Sequence, residues 1–309
     1  MNKLLKKTLK ITGMVLVILI AALLIIPIVF KKQITSLVKS EINKSLTAKV
    51  DFANVDISLF RHFPKISIAL EQLSVVGTEE FAADTLVAAE KIDVSANLIS
   101  VLKGKEIKVS GIYLHSPRIH ALVNMDVKAN WDISKPSTDT SSTVGDTTTT
   151  AFQLSLQKYK ITNGYLYYKD EVSDMTAEIE GLDHEGSGDF NQDIFTLKTQ
   201  TAIASTNFTY GGIPYFVKTK ADIETGIEID NKNSKYSFNT QDITLNNLKL
   251  NADGFFQLVN DSVYNMDIRF KSPSNDFKDI LSLIPAIYKN DFEKIKTSGK
   301  ASFAGFVKG

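Results

Sequence analysis

The residues best equipped for chemistry in this 309-residue chain are few: four histidines, no cysteine, and one crowded polar stretch. Without cysteine there are no disulfides, no thiolate metal ligands and no cysteine nucleophiles. His115 and His120 are five apart, a spacing that on one extended strand sends them to opposite faces, and His62 and His184 fall in candidate turns. Surface histidines are the simpler reading. The stretch Asp183-His184-Glu185-Gly186-Ser187-Gly188-Asp189 gathers acids, a histidine and a serine, the raw material of a metal site or a nucleophile. It has neither the order and context of a nucleophile elbow nor the spacing of a calcium loop, and it reads as a polar hairpin turn. No phosphate-cradling G-x-x-x-x-G-K-[ST], dinucleotide fingerprint or H-E-x-x-H occurs. The expectation is a non-enzyme with no catalytic residues, no metal ligands and no cofactor.

Composition narrows the partners. Lys plus Arg and Asp plus Glu balance at 35 each, so no basic field exists to hold a phosphate backbone, and nucleic acid is not an expected partner. A chain that is 43% hydrophobic and 23% charged has the makings of a folded core.

Residues 11–30 (ITGMVLVILIAALLIIPIVF) carry no charge, and twenty residues at about 1.5 Å each cover the roughly 30 Å of bilayer hydrocarbon. The run is longer than the apolar core of a cleaved signal and stops at Lys31-Lys32, so it reads as a retained anchor behind a cytoplasmic tail of residues 1–10. Lysines flank both ends. The short tail and the long following domain place that domain outside the cytoplasm. Over residues 31–47, Ile34, Leu37, Val38, Ile42 and Leu46 fall at helical spacing, predicting an amphipathic helix that either caps the domain or lies on the lipid surface.

After Val50 the apolar period changes from 3.6 to 2. Ala53, Val55, Ile57 and Leu59, then Ile66, Ile68 and Leu70, predict two strands joined near Arg61 to Pro64. The parity shift between Leu70 and Leu73 predicts a β-bulge. Ile92, Val94, Ala96 and Leu98 make a further strand, and Ile107 and Val109 begin the next, broken by Gly111. Residues 48–133 thus read as one-sided antiparallel sheet. Residues 134–150 (SKPSTDTSSTVGDTTTT) have almost nothing to bury and read as a flexible loop. Strand alternation resumes over residues 151–309, interrupted by a helix carrying Phe277, Ile280, Leu281, Ile284 and Ile287. A weak echo links residues 108–114 with 160–167, each read as a strand, a Gly-marked turn and a second strand.

An excess of one-sided strands over helices leaves apolar faces that a second sheet, a partner or an apolar ligand must cover. The succession of the Phe63-Pro64-Lys65-Ile66-Ser67-Ile68 strand, the segment from Ala88 through Ile92 and Val94 to Leu102, and Asn130-Trp131-Asp132 resembles the AsmA family of bacterial envelope proteins. Gly164-Tyr165-Leu166-Tyr167-Tyr168-Lys169-Asp170 is similar to that family's second strand block, and the chain resembles an N-terminal portion of its longer members.

The resemblance implies a single-pass inner-membrane protein with a periplasmic domain built like the chorein-type, bridge-like lipid-transfer proteins. Their elongated, curved sheet has an apolar concave face. It further implies membrane lipids, phospholipid foremost, as partners, with outer-membrane or periplasmic proteins beside them. The groove-lining candidates are Ile66, Ile68, Leu70, Ile92, Val94, Ile107 and Val109. The competing reading is a structural or assembly factor for the outer membrane, whose sheet closes on itself and buries the same residues in an ordinary core.

Overall fold

The computed structural model describes residues 46–103, 106–135, 151–260, 263–283 and 298–309, with isolated positions before residue 44; side chains of 101–107, 151–154, 241 and 274 lie outside that description. Only Thr12 and Met14 of the expected anchor are within it, both helical, so the tail and the anchor fall outside the described residues. Among the described residues no helix is long and apolar enough to cross a membrane.

Period-two alternation gives each strand one apolar and one polar side, and the strands join into a single curved sheet of fourteen. β1 (Lys49–Asp51) and β2 (Asn54–His62) lie end to end along one edge of β3 (Lys65–Val76). β4 (Thr85–Ala96) pairs with the other edge of β3, and a short helix, α1 (Leu98–Lys103), follows it. β5 (Glu106–His115) and β6 (Arg118–Val123), parted only by Ser116 and Pro117, share the next place, between β4 and β7 (Ala151–Asp170). β8 (Met175–Ser187), β9 (Ile194–Tyr210), β10 (Ile213–Asp230), β11 (Lys235–Leu245), β12 (Leu248–Asn260) and β13 (Val263–Asp276) then follow as antiparallel neighbours. α2 (Phe277–Leu281) stands between β13 and the edge strand β14 (Lys300–Lys308). Ile284 and Ile287, expected in that helix, lie outside the described residues.

The all-antiparallel expectation is corrected at one junction: β5 and β6 run parallel to β7, so the sheet is mixed. Parallel neighbours need a long return connection. Residues 124–150 provide it. Gly111 and Gly164, expected in turns, lie within continuous strands, and the two echo segments sit side by side in the sheet.

The parity shift between Leu70 and Leu73 is present, with Gln72 in the left-handed region at φ 55°, but no bulge residue is inserted there: β3 keeps one register through it with β1 and β2 on one edge and with β4 on the other. Gln72 is one point of a seam crossing the sheet through Ser116 (φ 46°), Asn163 (φ 51°), Gly181 (φ 60°) and Lys218 (φ 50°). At this line, side chains on the apolar face come three residues apart instead of two. Leu70 is followed by Leu73 on β3, Ala89 by Ile92 on β4, Ile179 by Leu182 on β8 and Ile203 by Thr206 on β9. Because neighbouring strands make the same adjustment, pairing between β3 and β4 stays in register through it. Side-chain oxygens stand in for missing ladder acceptors: Asn163 N donates to Asp183 Oδ1 (2.9 Å) and Lys218 N to Asn207 Oδ1 (2.9 Å).

A closed core sits at the N-terminal end, where Ala48, Val50, Phe52, Val55, Leu73, Val75, Leu86 and Ala89 cluster. Ile42 and Leu46 pack on it together with Ile133, so this end of the amphipathic helix caps the domain.

Candidate functional site

Cross-strand pairing places the apolar residues in rows, because partners in register share a face. One row runs Val55, Leu70, Ile92, Leu114, Ile161, His184, Thr201, Ile223, Ile243, Leu250, from the β2 edge to β12. Only two of its ten members are polar. A second row begins Ile57, Ile68, Val94, Ile112, Tyr159. Along β9 this is the sheltered side, Phe195, Leu197 and Thr199 being buried while Thr196, Lys198 and Gln200 are exposed; on β3 and β4 the opposite side is the more buried, through Ser67, Ala69, Asp93 and Ser95.

The sequence-derived candidates share this side. Ile68 pairs with Val94, Leu70 with Ile92, and Ile66 with Ala96, which pairs in turn with Val109. Ile107 is in β5 opposite Phe152, but its side chain lies outside the described residues. Ile68, Leu70 and Ile92 pack against the closed core, whereas Ile223 and Ile243, which the sequence did not single out, lie outside that cluster; all five are partly buried.

His184 was read as a turn residue; it sits instead within β8, on the apolar side. Its Nε2 is 3.0 Å from the Tyr159 hydroxyl and its Nδ1 is 2.8 Å from Thr201 Oγ1. Burial pushes the imidazole below its ordinary value of 6.5 and the Tyr159 hydroxyl above its ordinary value of 10.0. The Tyr159 ring lies over Gly186, where a Cβ would stand 2.3 Å from the ring and would have to displace it. Phe190 and Phe195 continue the aromatic cluster. In the next row Thr199 Oγ1 donates to the Thr225 carbonyl (3.4 Å), and the Thr225 and Thr240 hydroxyls bond each other. The signal that could have found this belt is the run of threonines at period two, Thr199 and Thr201, in a strand otherwise apolar on that side.

His115 and His120 are corrected too. The seam at Ser116 resets the parity between them, so both lie on the polar side, His120 against the rings of Tyr165 and Tyr167. His62 stacks on Tyr113 at a centroid distance of 4.3 Å. Beside it, the Asp93 carboxylate, 1% exposed, accepts from Arg61 Nη1 (2.9 Å) and Ser67 Oγ (2.5 Å). Desolvation alone would lower the Arg61 pKa, but hydrogen bonds to Asp56 and Asp93 hold it above its ordinary value. Asn130 is buried and clamps β6, accepting from Leu122 N (2.9 Å) and donating to the His120 carbonyl (2.7 Å). Trp131 is half exposed near Tyr168, and Asp132 closes the turn with N–H donation to Ala129.

A surface depression of about 500 Å³ opens mainly among residues of the polar side, including Lys160, Asp183, Glu185, Asp222 and Asp242. Lys160 and Lys158 hold Glu185 below the usual carboxylate range. Among the described residues no group of three or more His, Asp or Glu gathers as metal ligands do.

Among known proteins, the sequence model of the AsmA family matches residues 1–278, taking in the sheet from β1 through β13. No curated protein matches the chain.

Proposed function

The chain belongs to the AsmA family, and on that premise we propose that it is a non-enzymatic envelope protein whose apolar face carries phospholipid between the inner and outer membranes. It is held in the inner membrane by residues 11–30, with the sheet in the periplasm. The observation that carries this reading is the apolar row from Val55 to Leu250, which continues across the sheet beyond the closed core. Nine steps of about 4.8 Å between the ten strands of that row give a track of roughly 43 Å. A diacyl lipid in water exposes about thirty methylenes, on the order of 20 kcal/mol before its chains collapse on each other. Burial against such a track removes much of that barrier.

The alternative, a structural or assembly factor for the outer membrane with a closed β core, is favoured by the cluster around Val55 and Leu73, and that cluster is confined to the first strands. The two readings part on a charge placed far from it. Ile223→Asp sits on a partly exposed position, where the carboxylate stays hydrated in the absence of lipid. The expected outcome is a melting temperature within a few degrees of wild type and a severalfold loss of co-purifying phospholipid. Unfolding of Ile223→Asp, together with a wild type that carries no lipid, would favour the closed core.

A further inference from the structure

We propose that Tyr159, His184 and Thr201 form a hydrogen-bond donor site at the midpoint of the apolar face, which takes an ester carbonyl of a diacyl lipid. The inference rests on the groove reading and deepens it by naming the part of the ligand that is recognised.

Three donor hydrogens belong to this group: one on the Tyr159 hydroxyl, one on the imidazole and one on the Thr201 hydroxyl. The two contacts to His184 use two of them. With Nδ1 protonated, His184 donates to Thr201 and accepts from Tyr159, leaving the threonine hydrogen free. With Nε2 protonated the roles reverse and the tyrosine hydrogen is free. Either tautomer leaves one hydroxyl donor pointing away from the ring, so the site is matched to a group that only accepts. An ester carbonyl is such a group. Phosphate is a poorer match, since no lysine or arginine belongs to this row.

Position supports the same ligand. β8 and β9 hold the sixth and seventh of the twelve places in the sheet. On one side of His184 the row is Ile161, Leu114, Ile92 and Leu70, four spacings or roughly 19 Å, before it enters the closed core at Val55. On the other side of Thr201 it is Ile223, Ile243 and Leu250, roughly 14 Å. An acyl chain spans half of a hydrocarbon core of roughly 30 Å. A lipid held by its ester at the midpoint therefore keeps its chains on apolar surface in either direction.

The test offers the full-length protein vesicles containing equal amounts of diester and diether phosphatidylethanolamine with identical chains, then measures by mass spectrometry which lipid it retains. An ether lacks the carbonyl and keeps the rest. The wild type is expected to retain the diester by about threefold to tenfold over the diether, the range of one hydrogen bond. Y159F/T201V should bring that ratio towards one, whereas Y167F, on the polar side, should leave it unchanged. Equal retention of both lipids by the wild type, or a diester preference undiminished in the double variant, would overturn the donor site and leave the groove standing. Retention of neither lipid would overturn both.

Discussion

Removing the Arg61 guanidinium leaves the Asp93 carboxylate, 1% exposed, with a serine hydroxyl as its principal remaining donor. Breaking a buried pair from one side costs several kcal/mol, less here because Arg61 is itself partly exposed, so Arg61→Met should destabilise by about 2–4 kcal/mol. Denaturant unfolding measures it, and adding Asp93→Val to the same chain should return most of the loss. A second consequence concerns pH. The pKa of His184 is lowered by burial below its ordinary 6.5, so as pH falls through about 6.5 the unfolded chain takes up a proton that the folded one refuses. Stability is fully present above that pH and declines below it. His184→Gln should flatten the melting-temperature profile between pH 7.5 and 5.5, and parallel profiles would contradict the assignment. Neither centre was legible in the sequence. His184 was hidden by the polar residues around it, and Asp93 by an alternation that marked it as solvent-facing when Arg61 and Ser67 in fact enclose it.

The strands were legible because one-sided burial writes period two into the sequence, and the left-handed residue at Gln72 was legible because it reset the parity of apolar residues. The rest of the seam was not, since Ser116, Asn163 and Lys218 adopt the left-handed conformation without being glycine. That conformation is unfavourable for a residue with a Cβ by roughly 1–2 kcal/mol, and glycine's extra unfolded-state freedom offsets part of the relief. Lys218→Gly should therefore stabilise by about 0.5–1 kcal/mol, while Gly181→Ala, whose Cβ would stand 2.7 Å from Ala204 Cβ at φ 60°, should destabilise. What the Ser/Thr segment, read as a flexible loop, must supply is length. Its start is tied down, Ser134 bridging to Leu46 and Lys135 donating to the Asn43 carbonyl (2.9 Å), near where Val76 meets Thr85. Its end, Ala151, pairs with Glu106 beyond the far end of β4. The eleven steps of β4 at about 3.3 Å separate these ends by roughly 36 Å. Deleting Thr138 to Thr149 leaves three residues, which span at most about 14 Å. The deletion should cost β7 its parallel pairing and lower the melting temperature sharply, whereas a Gly/Ser replacement of equal length should be tolerated.

At the scale of the whole molecule, period two announced a sheet with one apolar side, and the order of short motifs announced the family. The parallel junction was invisible because strand direction is set by where residues 124–150 carry the chain, which alternation does not record. The span of the face was invisible for a related reason: rows such as Val55 to Leu250 exist only once ten strands are in register. A carrier of this build must hold lipid on that face. That location is tested most directly by placing a photo-crosslinking amino acid singly at positions 222, 223, 224, 242, 243 and 244 of the full-length protein in cell membranes and measuring lipid adducts. In both strands the middle position lies on the apolar row and its neighbours point to the other side. Adducts from 223 and 243 with little from the four flanking positions is the predicted result; no adducts at 223 and 243, or equal yields at all six, would contradict it.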